Sequence, residues 1–191
     1  LSMHALFGTA IVFHIVSIFV EVGKGKAEAF SYFIPAAIFS TTSNLLASWA
    51  ADKINLKPIL IIMLLSFCVG SLGFINLEKD WGFWVLAFGF GVGGGLWGVI
   101  SNLTFIRFFG PKHLGEISGF STSLTVFASA IGPAAFSLGF DYFGNYASPA
   151  KICLGFLIIL LFFSVFLVNK EEKKEKKKEE KDEKKKKEEI K

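Results

Sequence analysis

His4 and His14 stand in the first apolar stretch of a 191-residue chain. An ionisable side chain in such surroundings is costly to hold and is a functional candidate by default. His14, Ser17 and Glu21 recur at i, i+3 and i+7 and share one helical face. On that face His14 either relays a proton or touches a solute, or it is a neutral imidazole bonded between helices. His4 lies off that face and nearer an end. Asn44 and Asn102 sit in later apolar stretches, where an amide either contacts solute or ties helix to helix. Trp97, set among glycines, is either a cavity wall or plain packing.

Two periodic faces frame these residues. Gly91, Gly95, Gly98 and Asn102 fall at i, i+4, i+7 and i+11, a smooth face. Ser118, Thr122, Thr125, Ser129 and Gly132 repeat the pattern downstream as a hydroxyl-bearing face that ends at Gly132-Pro133. Such faces either pack closely or line a polar cleft. Other chemistries are excluded on residue grounds. Gly89-x-Gly91-x-x-Gly94 mimics a dinucleotide fingerprint but lacks a preceding strand and a following acidic residue. Cys68 and Cys153 lie in apolar runs without metal-type spacing and read as buried free thiols. No metal or cofactor is expected, and no enzymatic activity. An intramembrane serine protease would need a Gly-x-Ser-Gly nucleophile and a later histidine; Ser121 lacks that context and no histidine follows His113.

The elements that must position these residues follow from hydropathy. The chain is 52% hydrophobic and 16% aromatic, with 23 Phe. Six stretches long enough to cross a bilayer are expected near 2–20, 30–51, 58–77, 83–105, 118–140 and 149–168. This is an all-α integral membrane protein with six transmembrane helices in 1–168, followed by a Lys/Glu-rich tail at 169–191. Six glycines between Gly89 and Gly98 would break a helix in water; in lipid the helix persists and glycine permits close approach. The third and sixth stretches carry no polar stripe and are expected to face lipid.

Charge sets orientation rather than partners. Net charge is +4, but Lys170–Lys191 holds 12 Lys against 9 acids, so the basic balance belongs to the tail and implies no nucleic acid. Lys53, Lys57, Arg107 and Lys112 fall on one side, and Lys24, Lys26, Lys79 and Lys151 on the other. The loops tie, and the lysines of the tail place both chain ends in the cytoplasm. The first stretch lacks a basic leader, so it is not a secretion signal. The chain opens at Leu1 without an initiator Met, and is expected to be a fragment. The two triplets of spans echo one another. The second span of each ends in an aspartate, Asp52 or Asp141, and a proline follows at Pro58 or Pro149. Two inverted three-helix repeats are a plan of secondary transporters.

At these residues the chain resembles the second half of a major facilitator superfamily transporter. The carrying motifs are Gly91 to Gly98 with Trp97 and Asn102; Arg107-Phe-Phe-Gly110-x-Lys112-x-x-Gly115; and Gly132-Pro133 followed by Asp141-x-x-Gly144-x-Tyr146. The last two look most like the oxalate/formate-antiporter and monocarboxylate-transporter-like branches. The resemblance implies half of a twelve-helix fold, a missing N-terminal six-helix half, and alternating access by rocking of the halves. It implies that the first and fourth spans line a central cavity, with the second and fifth beside them. Asp52-Lys53-Ile54-Asn55 departs from the family's loop, with Asn where Gly is usual. The resemblance therefore implies secondary transport of a small solute, perhaps an organic monocarboxylate, with a coupled proton or an exchanged anion, across a bacterial inner membrane. Substrate-pathway candidates are His14, Asn44, Trp97, Asn102, Thr122, Thr125 and Ser129. Gate or loop candidates are Asp52, Lys53, Arg107 and Lys112. Gly91, Gly95, Gly98, Gly132 and Pro133 are expected to serve helix packing. A six-span channel or a structural membrane component is the rival class.

Overall fold

The computed structural model describes residues 1–110 and 114–166. Among them, helices account for the ordered elements: α1 (Ser2–Glu21), α2 (Lys26–Ser31), α3 (Phe33–Ala51), α4 (Leu56–Ile75), α5 (Asp80–Phe109), α6 (Leu114–Phe143) and α7 (147–166). Lys112, His113 and the tail expected at 169–191 lie outside the described residues.

Five of the described helices are long and apolar enough to span a bilayer: α1, α4, α5, α6 and α7. At 1.5 Å per residue, about 20 residues cross the hydrocarbon layer. The second expected span differs. It divides into α2 and α3 at Tyr32, because Pro35 has no N–H to offer the Ser31 carbonyl. Helix α3 is 19 residues long, but Ser40-Thr41-Thr42-Ser43-Asn44 at its centre keeps it out of these five.

Helix α5 runs unbroken through its glycines and is the hub of the packing. Its glycine face meets α3. A Cβ on Gly95 would collide with the Ser40 carbonyl and the Ser43 hydroxyl, so only glycine allows these backbones to touch. Gly91 lies against Ala36, and Gly98 beside Asn44. The sequence pattern left this smooth face and the hydroxyl face of α6 either to pack closely or to line a polar cleft. Close packing goes to α3, and only Gly98 and Asn102 share a cleft with the α6 hydroxyls. Helix α1 pairs with α6, where Gly132 sits against the Leu6 backbone with no room for a side chain. Helix α4 packs along α5.

One correspondence fits two inverted triplets: exchanging α1, α2–α3, α4 with α5, α6, α7 turns the α1–α6 pair into the α5–α3 pair. At the centre Phe7 is 1% exposed, with Phe90, Phe136 and Phe74 at ring-centroid distances of 4.9, 5.4 and 5.8 Å. Four helices thus share one aromatic knot. Helix α4 buries one side and exposes Ile62, Leu65, Val69 and Leu72 on the other, an apolar stripe suited to lipid. Helices α3 and α6 expose large apolar side chains, among them Ile34, Leu45, Phe120 and Leu138, each more than 60% accessible.

Candidate functional site

Two cavities line up along α5. The larger, about 710 Å³, lies between α1, α3 and α5 and is bordered by His4, Thr9, Tyr32, Ser40, Gly91 and Trp97 among others. The smaller, about 370 Å³, is bordered by Trp97, Gly98 and Asn102 on α5 and by Ser118, Thr122 and Thr125 on α6. Trp97 borders both. The larger cavity falls in the size range of small-molecule pockets. Its walls are mainly Ala, Gly, Ile, Val and Phe, and no Lys, Arg, Asp or Glu borders it among the described residues.

His4 is positioned from two other helices. Its ring stacks on Phe67 of α4 at 4.8 Å with an 18° interplanar angle, and tilts against Trp97 of α5 at 5.1 Å. Its Nδ1 and the Trp97 Nε1 are buried without a hydrogen-bond partner. Buried polar atoms are normally satisfied, so two unmet nitrogens side by side on one cavity call for an explanation.

His14 occupies a different setting. Its Nε2 lies 3.0 Å from the Pro133 carbonyl oxygen, and its Nδ1 lies 3.3 Å from the Tyr146 hydroxyl. A carbonyl only accepts, so Nε2 carries the proton, and Nδ1 accepts from the Tyr146 O–H. Glu21, on the same face of α1, accepts from the Tyr146 backbone N–H at 3.0 Å. This cluster fastens α1 to α6 and to the turn that follows it. His14 borders neither cavity.

The remaining sequence candidates separate by partner. Asn44 Nδ2 donates to the Gly95 carbonyl at 2.9 Å and ties α3 to α5. Asn102 Nδ2 donates to the Gly98 carbonyl of its own helix at 2.8 Å and stands at the smaller cavity. Thr122 and Thr125 stand there too, Thr125 donating to the Ser121 carbonyl at 2.8 Å. Ser129 donates to the Val126 carbonyl at 2.8 Å and borders neither cavity. Arg107 donates through Nη2 to the Ala51 carbonyl at 2.5 Å and more loosely to Ile54, 3.5 Å away. A cation there meets the negative end of the α3 dipole and links the ends of α3 and α5. Asp52 is exposed at the α3 terminus, and the Lys53 ammonium sits 3.9 Å from the centre of the Trp49 ring. Lys112 lies outside the described residues.

Sequence reasoning put His14 foremost and His4 aside, whereas His4 is the histidine at the cavity. The available signal was spacing: Gly8 and Val12 follow His4 at i+4 and i+8 and also border the cavity. No group of three or more metal-ligating side chains converges among the described residues. A family model described as Major Facilitator Superfamily matches residues 4–191. No curated protein and no solved structure gives a match.

Proposed function

Because the chain belongs to the Major Facilitator Superfamily, whose members carry small solutes across membranes, we propose that it moves an organic monocarboxylate by alternating access. The integral membrane setting and the transport of a small solute come with the family. The monocarboxylate and the antiporter-like or monocarboxylate-transporter-like branch are our own reading. The observation behind it is the larger cavity: about 710 Å³, apolar-walled, with no cation among the described residues that border it. A dianion there would leave two carboxylates stripped of water without a partner charge, a cost far above any hydrogen bond it could gain. One acidic group on an apolar body suits the walls.

On this reading the solute passes along α5, with Trp97 as the partition between the two cavities and Asn102, Thr122 and Thr125 as polar contacts of the second. Arg107, with Asp52 and Lys53, latches the cytoplasmic ends of α3 and α5. The exposed apolar flanks of α3 and α6 fit against a second six-helix half, which rocks to open each side in turn. A proton or an exchanged anion drives the movement, the membrane is a bacterial inner membrane, and the C-terminus is cytoplasmic. Proteoliposomes containing the full-length protein test this. Labelled monocarboxylates should accumulate and be displaced by unlabelled monocarboxylates, with oxalate and succinate weaker by at least tenfold. Equal or preferred uptake of dicarboxylates would overturn the substrate class.

A further inference from the structure

Two residues that border the larger cavity, His4 and Trp97, each carry a buried hydrogen-bonding nitrogen without a partner, and no charge borders it among the described residues. The indole N–H of Trp97 can only donate. The His4 imidazole, when neutral, offers one donor nitrogen and one acceptor nitrogen. A group that satisfies both must accept at one atom and donate at the next. The other polar side chains on the walls, Thr9, Tyr32 and Ser40, carry hydroxyls; that of Thr9 already donates to the Ala5 carbonyl at 2.6 Å.

We infer that His4 and Trp97 form a subsite that takes the solute uncharged, as a protonated carboxylic acid on an apolar body. This rests on the monocarboxylate reading and sharpens it: the proton travels on the solute. The acid's carbonyl oxygen accepts from the Trp97 N–H, and its O–H donates to the His4 Nδ1. Both nitrogens are closed to water. For the solute to meet them, the rings, each of which borders the cavity, must swing slightly, and that movement is part of the inference. Phe67, stacked on His4 at 4.8 Å, supports the imidazole from behind. The Ala, Gly, Ile and Val walls receive the hydrocarbon chain, so affinity rises about fourfold for each added methylene until the space is filled.

The test is equilibrium dialysis of the full-length protein in nanodiscs, with labelled hexanoic acid as ligand and hexanamide as competitor. A primary amide accepts and donates as the acid does but cannot ionise. Hexanamide should compete within tenfold of the acid, and His4→Phe and Trp97→Phe should each weaken binding fivefold to tenfold, the worth of one hydrogen bond. His4→Gln, which puts an amide acceptor and donor in place of the imidazole, should retain most of the affinity and serves if the larger change impairs folding. An amide more than a hundredfold weaker than the acid would mean that the anion is what binds, and would overturn the inference. So would wild-type protein that binds neither ligand, or binding untouched by the substitutions at both positions. Dialysis reads binding apart from movement. Protein that binds both ligands but carries neither across a bilayer keeps the subsite and removes the carrier reading. Uptake indifferent to His4 and Trp97 does the reverse.

Discussion

Two histidines on the same helix have opposite surroundings. His14 has both ring nitrogens engaged, by the Pro133 carbonyl and the Tyr146 hydroxyl, and its cluster extends to Glu21. His4 is held by aromatic faces, its Nδ1 buried and unpaired beside the unpaired indole of Trp97. Bilayer-embedded polar groups are expensive in both places. At His14 the expense is offset within the fold, and the result is a fastening between α1 and α6. At His4 it is left open, which is a poor arrangement for stability and a sound one for a ligand. Position within a span does not separate a hydrogen-bonded histidine from one left unpaired at a cavity; the partners that other helices supply do.

The sharpest way to break this contrast is to replace each imidazole by a phenyl ring. His14→Phe should destabilise the protein by about 2 kcal/mol, since one bond to α6 and one to the turn after it are lost and a hydroxyl is orphaned. Thermal unfolding in detergent would record a lower midpoint, and solute affinity in the surviving folded fraction should stay within twofold. His4→Phe should move stability the other way, by about 1 kcal/mol, because the buried unpaired nitrogen disappears while the stack on Phe67 is kept. A drop in the unfolding midpoint for His4→Phe comparable to that for His14→Phe would show that His4 is satisfied in the native state, and the distinction between them would fall.

A smaller effect sharpens the His14 side. Glu21→Gln keeps the shape and an acceptor oxygen but removes the charge that strengthens the bond from the Tyr146 N–H. The expected loss is about 1 kcal/mol of stability, with no change in solute binding. Hydrogen exchange at the Tyr146 amide, followed by mass spectrometry of a peptide covering it, should quicken in this variant and stay unchanged in His4→Phe.

How much of this was legible follows from what a single helix can reveal. Apolar length and period gave five of the six expected stretches as long apolar helices, because each depends only on neighbours along the chain. The division at Tyr32 was also written locally, in Pro35, but an apolar count passes over it. The glycine face of α5 was visible as a face; its neighbour was not. Nothing within Gly91 to Asn102 says whether α3 or α6 lies alongside, because the order of helices in the bundle decides that. Of the hydroxyl face, Ser118, Thr122 and Thr125 reach a cavity and Ser129 does not, a difference set by the neighbouring helix rather than by α6 itself. His4 was passed over for the same reason. Its aromatic supports, Phe67 and Trp97, come from α4 and α5, and a missing partner leaves no trace in sequence.

The smallest expected effect tests the geometry most finely. Tyr146→Phe removes one hydroxyl, whose bond to His14 Nδ1 is long at 3.3 Å, and leaves the ring stacked on Phe140 at 4.6 Å. Interhelical bonds of this kind average about 0.6 kcal/mol, so the loss should be near that value. The informative quantity is the coupling. If the hydroxyl acts through His14, the His14→Phe, Tyr146→Phe double variant should be about 0.6 kcal/mol less destabilised than the sum of the two singles. Strict additivity, measured by reversible unfolding in mixed micelles, would mean that His14 is held by the Pro133 carbonyl alone. A ring held at one nitrogen leaves the other unpaired, which would bring His14 closer to the state of His4.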